Sequence, residues 1–242
     1  MLYNKTEKRV LQYVDALEKR IWRKLDCPLV VSAEQKKAYS EESLSPSRRI
    51  ESYPYGFGSD NEDTVFTFTL DVPEVDSVYL SFPLGTDSLV KVNGKPECNV
   101  NPFHTVMDIS SWRGQKASFE IKCWDGYKYP GWHPLNPSHL LTVTGRKQPD
   151  YPILLEQPEV LTKNPNQYAL YHDLVVITET VLEENPESLF RQRVMARLHK
   201  ALMGMSLVET DDAVSEAQAE SVLETTREIL QAKNGTIAPS VY

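Results

Sequence analysis

The segment TVFTFTL (residues 64–70) has a period of two, with large apolar side chains at every second position from Phe66 and with Val65, Thr67 and Thr69 at the positions of the other face. Phe66, Phe68 and Leu70 therefore fall on one face, as expected for a β-strand with one buried side. The same alternation recurs in three later segments: SVYLSF (77–82), SLVKV (88–92) and ASFEIKCW (117–124). Because no helical pattern separates these strands, the sequence predicts an antiparallel β-sandwich or jelly roll.

The apolar faces of these strands supply the predicted core. Together with the first strand, its members are Val78, Leu80, Phe82, Phe119 and Ile121. The dipeptide Asn93-Gly94 follows the third strand directly and is typical of a tight type I′ hairpin. HLLTVTG (residues 139–145) predicts a last strand of the sandwich.

Helical spacing appears before the predicted sandwich. In the first 30 residues, apolar side chains recur every three or four positions: Val10, Val14, Leu17, Ile21 and Leu25, with Trp22 beside them. Pro28 predicts the end of this amphipathic helix. Residues 40–63 are polar and contain prolines and glycines, which predicts a loop.

Helical spacing returns after Pro149 and Pro152. Residues 168–181, 188–205 and 211–235 predict three antiparallel helices with short links. Acids at the start of the last segment suit the positive end of a helix. We therefore expect an α+β protein with an N-terminal helix in residues 1–30, a β-sandwich in residues 31–150 and a helical bundle in residues 151–242.

Composition and charge restrict the function. The net charge of −8 argues against nucleic-acid binding, and no apolar run approaches the roughly 18 residues of a membrane span. Residues 1–25 carry seven basic and three acidic side chains, whereas residues 156–233 carry seven basic and fourteen acidic ones. These regions either face each other or are solvated helix surfaces. Three scattered cysteines and no signal peptide predict a cytoplasmic protein without a disulfide framework.

Catalytic motifs are not recognisable in the sequence. The five histidines form no HExxH or HxH pattern, and no nucleophile elbow or phosphate-binding glycine loop occurs. YHDL (residues 171–174) is the one candidate acid–base pair. The alternative is that Tyr171 and Leu174 face the helical bundle while His172 and Asp173 lie on an outer or interdomain face. We predict no catalytic residue and no metal site in this chain.

The segment CWDGYKYPGWHPLNP (residues 123–137) is the strongest candidate for a contact site. Its aromatic rings and polar groups have the composition of a sugar-binding patch: Trp124, Asp125, Tyr127, Tyr129, Trp132 and His133. The segment leaves the end of a predicted strand, so we place it at the rim of the sandwich. The same side chains would equally suit packing against another domain, and we favour packing.

The order of these parts resembles a known enzyme family. A basic helix precedes a sandwich containing GTDSLVKVNGKP (residues 85–96), followed by His104, by Asp108-Ile109 and by the YHDL helix. This arrangement is similar to the N-terminal region of cytosolic and bacterial-type α-mannosidases of glycoside hydrolase family 38. The hairpin also resembles galactose-binding-like sandwiches, which are jelly rolls.

The resemblance implies a non-catalytic accessory region that scaffolds a zinc-dependent retaining α-mannosidase. The expected partners are the catalytic domain of the same polypeptide, a mannose-containing oligosaccharide bound by the full-length enzyme, and a second copy in a homo-oligomer. Zinc is expected in the catalytic domain, whose His/Asp-rich opening segment would follow Tyr242. The alternative is a free-standing carbohydrate-binding or protein-interaction sandwich.

Overall fold

The computed structural model describes residues 3–58, 62–124, 153–206, 208 and 211–232. The chain forms two compact units. The helical unit consists of Met1–Arg23 and Lys163–Tyr242, and the β-rich unit consists of Lys24–Thr162. The protein is therefore of the α+β class, with antiparallel sheets and four α-helices in the part of the chain that the structure describes.

Twelve strands are present among the described residues. In chain order they are β1 (Trp22–Lys24), β2 (Ser32–Lys37), β3 (Arg48–Arg49), β4 (Tyr55–Phe57), β5 (Glu62–Asp71), β6 (Tyr79–Ser81), β7 (Ser88–Val92), β8 (Lys95–Val100), β9 (Val106–Asp108), β10 (Lys116–Trp124), β11 (Ile153–Leu155) and β12 (Glu159–Lys163). They form a six-stranded sheet in the order β3-β2-β5-β10-β7-β8, a four-stranded sheet in the order β1-β12-β6-β9, and the pair β11-β4.

The pairing of β5 with β10 forms the centre of the six-stranded sheet. The two strands are antiparallel over nine residue pairs, and Phe68 lies directly opposite Phe119. Their rings stack with centroids 4.8 Å apart and planes inclined by 7°. Phe82, which follows β6 of the other sheet, stacks on Phe68 at 5.9 Å. Side chains from the two sheets thus share one core.

The core and hairpin predictions are confirmed. All eight predicted core side chains are buried: Phe66, Phe68, Leu70, Val78, Leu80, Phe82, Phe119 and Ile121. Asn93 and Gly94 have φ of 50° and 78°, which are the left-handed values of a type I′ turn between β7 and β8. Asn93 Oδ1 also accepts a hydrogen bond of 2.9 Å from Ser118 N, so this turn is anchored to β10.

Several elements differ from the prediction. The first helix ends at Glu18, because Trp22–Lys24 forms a strand and Leu25 N donates to the Val160 carbonyl. The predicted loop of residues 40–63 contains β3, β4 and the first residues of β5. Strands β2, β11 and β12 were not predicted. The predicted strand at residues 139–145 lies outside the described residues.

The helical unit contains α1 (Tyr3–Glu18), α2 (Pro165–Leu182), α3 (Leu189–Leu202) and α4 (Asp212–Gln231). Its buried side chains form one cluster to which every helix contributes, including Val10, Tyr13 and Leu17 of α1, Leu170 and Leu174 of α2, Leu198 of α3, and Val222 of α4. The predicted acidic cap is confirmed at Asp211, whose Oδ1 accepts from Ala213 N and Val214 N. No described helix has the length and apolar character needed to cross a membrane.

A partly buried ion pair connects α1 to α3. Arg191 donates from Nε and Nη2 to the two carboxylate oxygens of Glu7, at 2.8 and 3.0 Å. Its Nη1 donates to the carbonyls of Leu182 and Glu184 at the end of α2. Here an acid of the basic first helix meets a base of the acidic C-terminal region. The overall charge distribution suggested the reverse arrangement, in which basic side chains of the first helix meet acidic side chains of the C-terminal region.

Replacing Phe68 with alanine should lower the free energy of unfolding by about 3–5 kcal/mol, because the truncation removes the stacking on Phe119 and Phe82 and leaves a cavity. Urea denaturation followed by circular dichroism measures the loss. Leu89→Ala is the matched control, since Leu89 lies on the other face of the sheet and is partly exposed. A loss below about 1 kcal/mol for Phe68→Ala would contradict the assigned core.

Candidate functional site

Trp124 is the one residue of the predicted contact site that the structure describes. Asp125, Tyr127, Tyr129, Trp132 and His133 lie outside the described residues. Trp124 N donates to the Asp87 carbonyl at 3.2 Å, and the Trp124 carbonyl accepts from Thr86 Oγ1 at 2.8 Å. The side chain is nevertheless 53% exposed. The backbone is therefore held in place while the indole is presented to solvent.

Trp124 belongs to the outer face of the six-stranded sheet. Along β10, Ala117, Phe119, Ile121 and Cys123 point into the core. Successive side chains of a strand point to opposite sides, so the intervening residues form the outer face: Ser118, Glu120, Lys122 and Trp124, with their neighbours on β2, β5 and β7. Polar side chains dominate this face.

A cluster of four charged side chains lies next to Trp124 on the outer face. Glu41 accepts from Lys36 Nζ at 2.7 Å and approaches Lys122 Nζ at 3.5 Å. Lys122 Nζ is also 3.6 Å from Asp63 Oδ2. The side chain of Asp63 is almost fully buried, and Asp63 lies directly opposite Trp124 in the pairing of β5 with β10.

The charged cluster shifts the pKa values of two of its members. The hydrogen bond from Lys36, followed by the charge of Lys122, lowers the pKa of Glu41. The hydrogen bond to Glu41 is also the largest cause of the raised pKa of Lys36. Both shifts favour the charged forms, so the cluster is held together by ionised groups.

Tyr39 is a second exposed aromatic residue beside this cluster, and the sequence did not indicate it. Its φ of 58° is left-handed, which costs a residue with a side chain roughly 1–2 kcal/mol. Tyr39 N donates to Asp63 Oδ2 at 3.3 Å, which stabilises this turn after β2. The ring is 89% exposed. The signal that could have found it is an aromatic residue in an otherwise polar turn, KKAYSEES (residues 36–43).

The YHDL segment lies in α2 (Pro165–Leu182), and its His172 and Asp173 contact different partners. His172 is exposed, and its ring contacts those of Tyr168 and Tyr171 at centroid distances of 4.3 and 5.2 Å. Asp173 Oδ2 accepts from Thr226 Oγ1 of α4 at 2.6 Å. Asp173 is half-buried, and its carboxylate bridges α2 and α4. Leu174 is buried as predicted.

Metal-binding and reactive thiol sites are not found among the described residues. No group of three or more His, Cys, Asp or Glu side chains there could hold a metal ion. Cys27, Cys98 and Cys123 are not joined in disulfides, and Cys123 is buried. Burial raises the pKa values of Cys27 and Cys98, and this disfavours their thiolates.

Comparisons with known proteins found no matching family model and no significantly similar curated protein. Among solved structures, β-glucosidase from Kluyveromyces marxianus is similar at a TM-score of 0.35 and 11% identity, over 59% of this chain and 19% of the enzyme. The complex of that enzyme with glucose is similar at a TM-score of 0.32 and 11% identity, over 59% of this chain and 18% of the enzyme. The glycoside hydrolase family 31 α-xylosidase from Xanthomonas citri is similar at a TM-score of 0.28 and 11% identity, over 63% of this chain and 20% of the enzyme. The chain thus spans about a fifth of each enzyme, and these TM-scores are too low to assign a fold or an activity.

The pKa of Glu41 should be below the ordinary glutamate value of about 4.3. NMR titration of the side-chain carboxyl measures it. Lys36→Gln should move this pKa back towards the ordinary value, whereas Lys37→Gln should not, because Lys37 pairs with Glu42. Glu41 then stabilises the fold above its unfolded-state pKa, and this contribution disappears as the pH falls through its folded-state pKa. Equal Glu41 pKa values in the wild type and Lys36→Gln would contradict the proposed pairing.

Proposed function

We propose that this chain is a non-catalytic accessory region of a glycosidase, of the type found at the N-terminus of family 38 α-mannosidases. Its β-rich unit is a β-sandwich of the jelly-roll, galactose-binding-like type. In this proposal the region scaffolds the catalytic domain of the same polypeptide and shapes the entrance to its active site. Mannose-containing oligosaccharides are then substrates of the whole enzyme.

The observation that carries the proposal is the presentation of Trp124. Its backbone is fixed by two hydrogen bonds and its indole is exposed, while Tyr39 is exposed beside the same charged cluster. Exposed aromatic side chains on a rigid framework mark interaction surfaces. The sequence resemblance supplies the identity of the partner, since the chain has the order of parts seen before the catalytic barrel in that family.

The charged cluster gives this surface its chemistry. Lys36, Lys122, Glu41 and Asp63 pair with one another, so they add no strong net charge beside Trp124. A surface of this kind favours an apolar or weakly polar partner over a phosphate or a nucleic acid. This agrees with a packing role against another domain.

A sugar platform at Trp124 is the second candidate. An exposed indole can stack on the apolar face of a sugar ring, and neighbouring carboxylates can accept hydrogen bonds from hydroxyl groups. Free-standing carbohydrate binding would then be the function. The two candidates differ in the ligand that should alter the environment of Trp124.

Tryptophan emission should distinguish these candidates. Adding a separately produced family 38 catalytic domain that lacks its own N-terminal region should shift the emission to the blue, because the indole leaves water. Trp124→Ala should remove that shift, and Trp22→Phe in the helical unit is the control that should retain it. Mannose and α-mannobiose at millimolar concentration should have no effect. A saturable, Trp124-dependent response to either sugar would instead establish the sugar platform.

The isolated chain should not hydrolyse an aryl α-mannoside, with or without added zinc. The reason is that the sequence contains no His-x-His-x-Asp segment of the kind that the resemblance associates with zinc binding. Release of the aryl group is followed by absorbance after stringent purification. Turnover that exceeds the buffer blank and survives repeated purification would refute the accessory role.

A further inference from the structure

A groove opens on the outer face of the six-stranded sheet, at a distance from Trp124. Its volume is about 550 Å³, and it lies over strands β2, β5 and β10. The side chains that line it on this face are Val30, Ser32, Thr67, Thr69, Ser118 and Glu120. All of them belong to the β-rich unit.

The strand register arranges the polar lining as a grid. Ser32 lies opposite Thr67, and Thr67 lies opposite Glu120. In the next row, Thr69 lies opposite Ser118. Neighbouring strands are about 4.8 Å apart, and side chains two residues apart on one strand are separated by about 6.8 Å. Five hydrogen-bonding groups are therefore fixed at about 5 by 7 Å spacing on a rigid three-stranded ladder.

The polar groups of this grid retain capacity for a ligand. Within the part of the chain that the structure describes, the hydroxyls of Ser32, Thr67 and Thr69 make no hydrogen bond to the protein. Ser118 Oγ donates to Asn93 Oδ1 at 3.2 Å and can still accept. Glu120 uses Oε1 to accept from Lys91 Nζ at 2.7 Å, which leaves Oε2 available in the described structure.

The chemistry of the lining selects one class of ligand. A hydroxyl both donates and accepts, so a row of hydroxyls matches a ligand that also carries many hydroxyls. The Glu120 carboxylate is paired with Lys91, so the lining carries little net charge, and the chain as a whole, at a net charge of −8, repels anions. A peptide strand cannot add here, because the groove lies over inner strands whose backbone groups are already paired, and strand addition requires a free edge.

We propose that this groove binds a neutral saccharide chain. The threonine and serine hydroxyls exchange hydrogen bonds with the sugar hydroxyls, Glu120 accepts from one or two of them, and the half-exposed Val30 contacts an apolar face of a ring. The grid sets the position of the chain on the sheet. This site is independent of the proposed accessory role.

The groove and the Trp124 surface are separate sites. Trp124 lies four residues after Glu120 on β10, which corresponds to about 13 Å along the strand. Lys122, which pairs with Glu41, lies midway between these two residues. Substitutions in the groove therefore leave the Trp124 surface intact. Failure of saccharide binding here and failure of the domain contact at Trp124 can be observed independently.

Native affinity electrophoresis of the full chain tests the groove. The gels contain galactomannan, xylan or mixed-linkage β-glucan, with polygalacturonate as the anionic comparison. We expect at least one neutral polymer to retard the protein saturably, and polygalacturonate not to do so. Thr67→Val and Glu120→Ala should each weaken the retarding interaction about tenfold, since each removes one hydrogen-bonding partner of about 1–1.5 kcal/mol. The matched control Thr180→Val on α2 should leave it unchanged.

Three results would overturn the proposal. They are no retardation by any of the neutral polymers, equal retardation by polygalacturonate, and full retention of binding in both groove variants. Loss of binding only in Trp124→Ala would assign it to the aromatic surface instead. If circular dichroism shows that a groove variant is unfolded, the amide chemical shifts of the wild-type protein are used instead to test whether the saccharide binds in the groove. They must change at residues 67–69 and 118–120 when an oligosaccharide of the retarding polymer is added.

Discussion

The pairing of β5 with β10 is the constraint on which the β-rich unit depends. Its nine antiparallel pairs place Phe68 against Phe119 on one side of the sheet, and place Thr67 against Glu120 on the other. A slip of one residue would exchange these sides, because side chains alternate along a strand. The core would then receive Glu120 and Lys122, and the outer face would carry the phenylalanines. One register thus determines both the stability of the sheet and the chemistry of its surface.

Elements whose residues alternate cleanly could be predicted from the sequence. β7 and β10 each bury one face, and β5 does so from Phe66 onwards, so their apolar residues recur at every second position; Asn93-Gly94 marks the turn beside them. β2 (SAEQKK) has no such signal, because its strand is specified by pairing with β5 rather than by its own apolar residues. The end of α1 was also misplaced. Ile21 and Leu25 continue the helical period, but pairing of the chain at Trp22–Lys24 ends the helix first.

The candidate site was predictable only in part, for a related reason. An aromatic-rich segment after a strand predicted Trp124 as a contact residue, and the structure shows that this residue is exposed. The outer-face groove combines side chains from β2, β5 and β10, and the register between β2 and β5 cannot be read from a strand that the pattern does not reveal. Tyr39 depends on a left-handed turn held by a buried carboxylate from another strand. Long-range pairing, which a single sequence does not report, is the information that was missing.

The helical unit is built from segments on both sides of the β-rich unit, and this affects how the protein is made. During synthesis α1 leaves the ribosome first, yet the helices against which Val10, Tyr13 and Leu17 pack follow about 140 residues later. At 5–20 residues per second this interval lasts roughly 7–30 s. In that time the β-rich unit can close its own core, whereas the apolar stripe of α1 has no native partner. The nascent chain therefore carries an exposed hydrophobic helix that chaperones would recognise until α2 emerges.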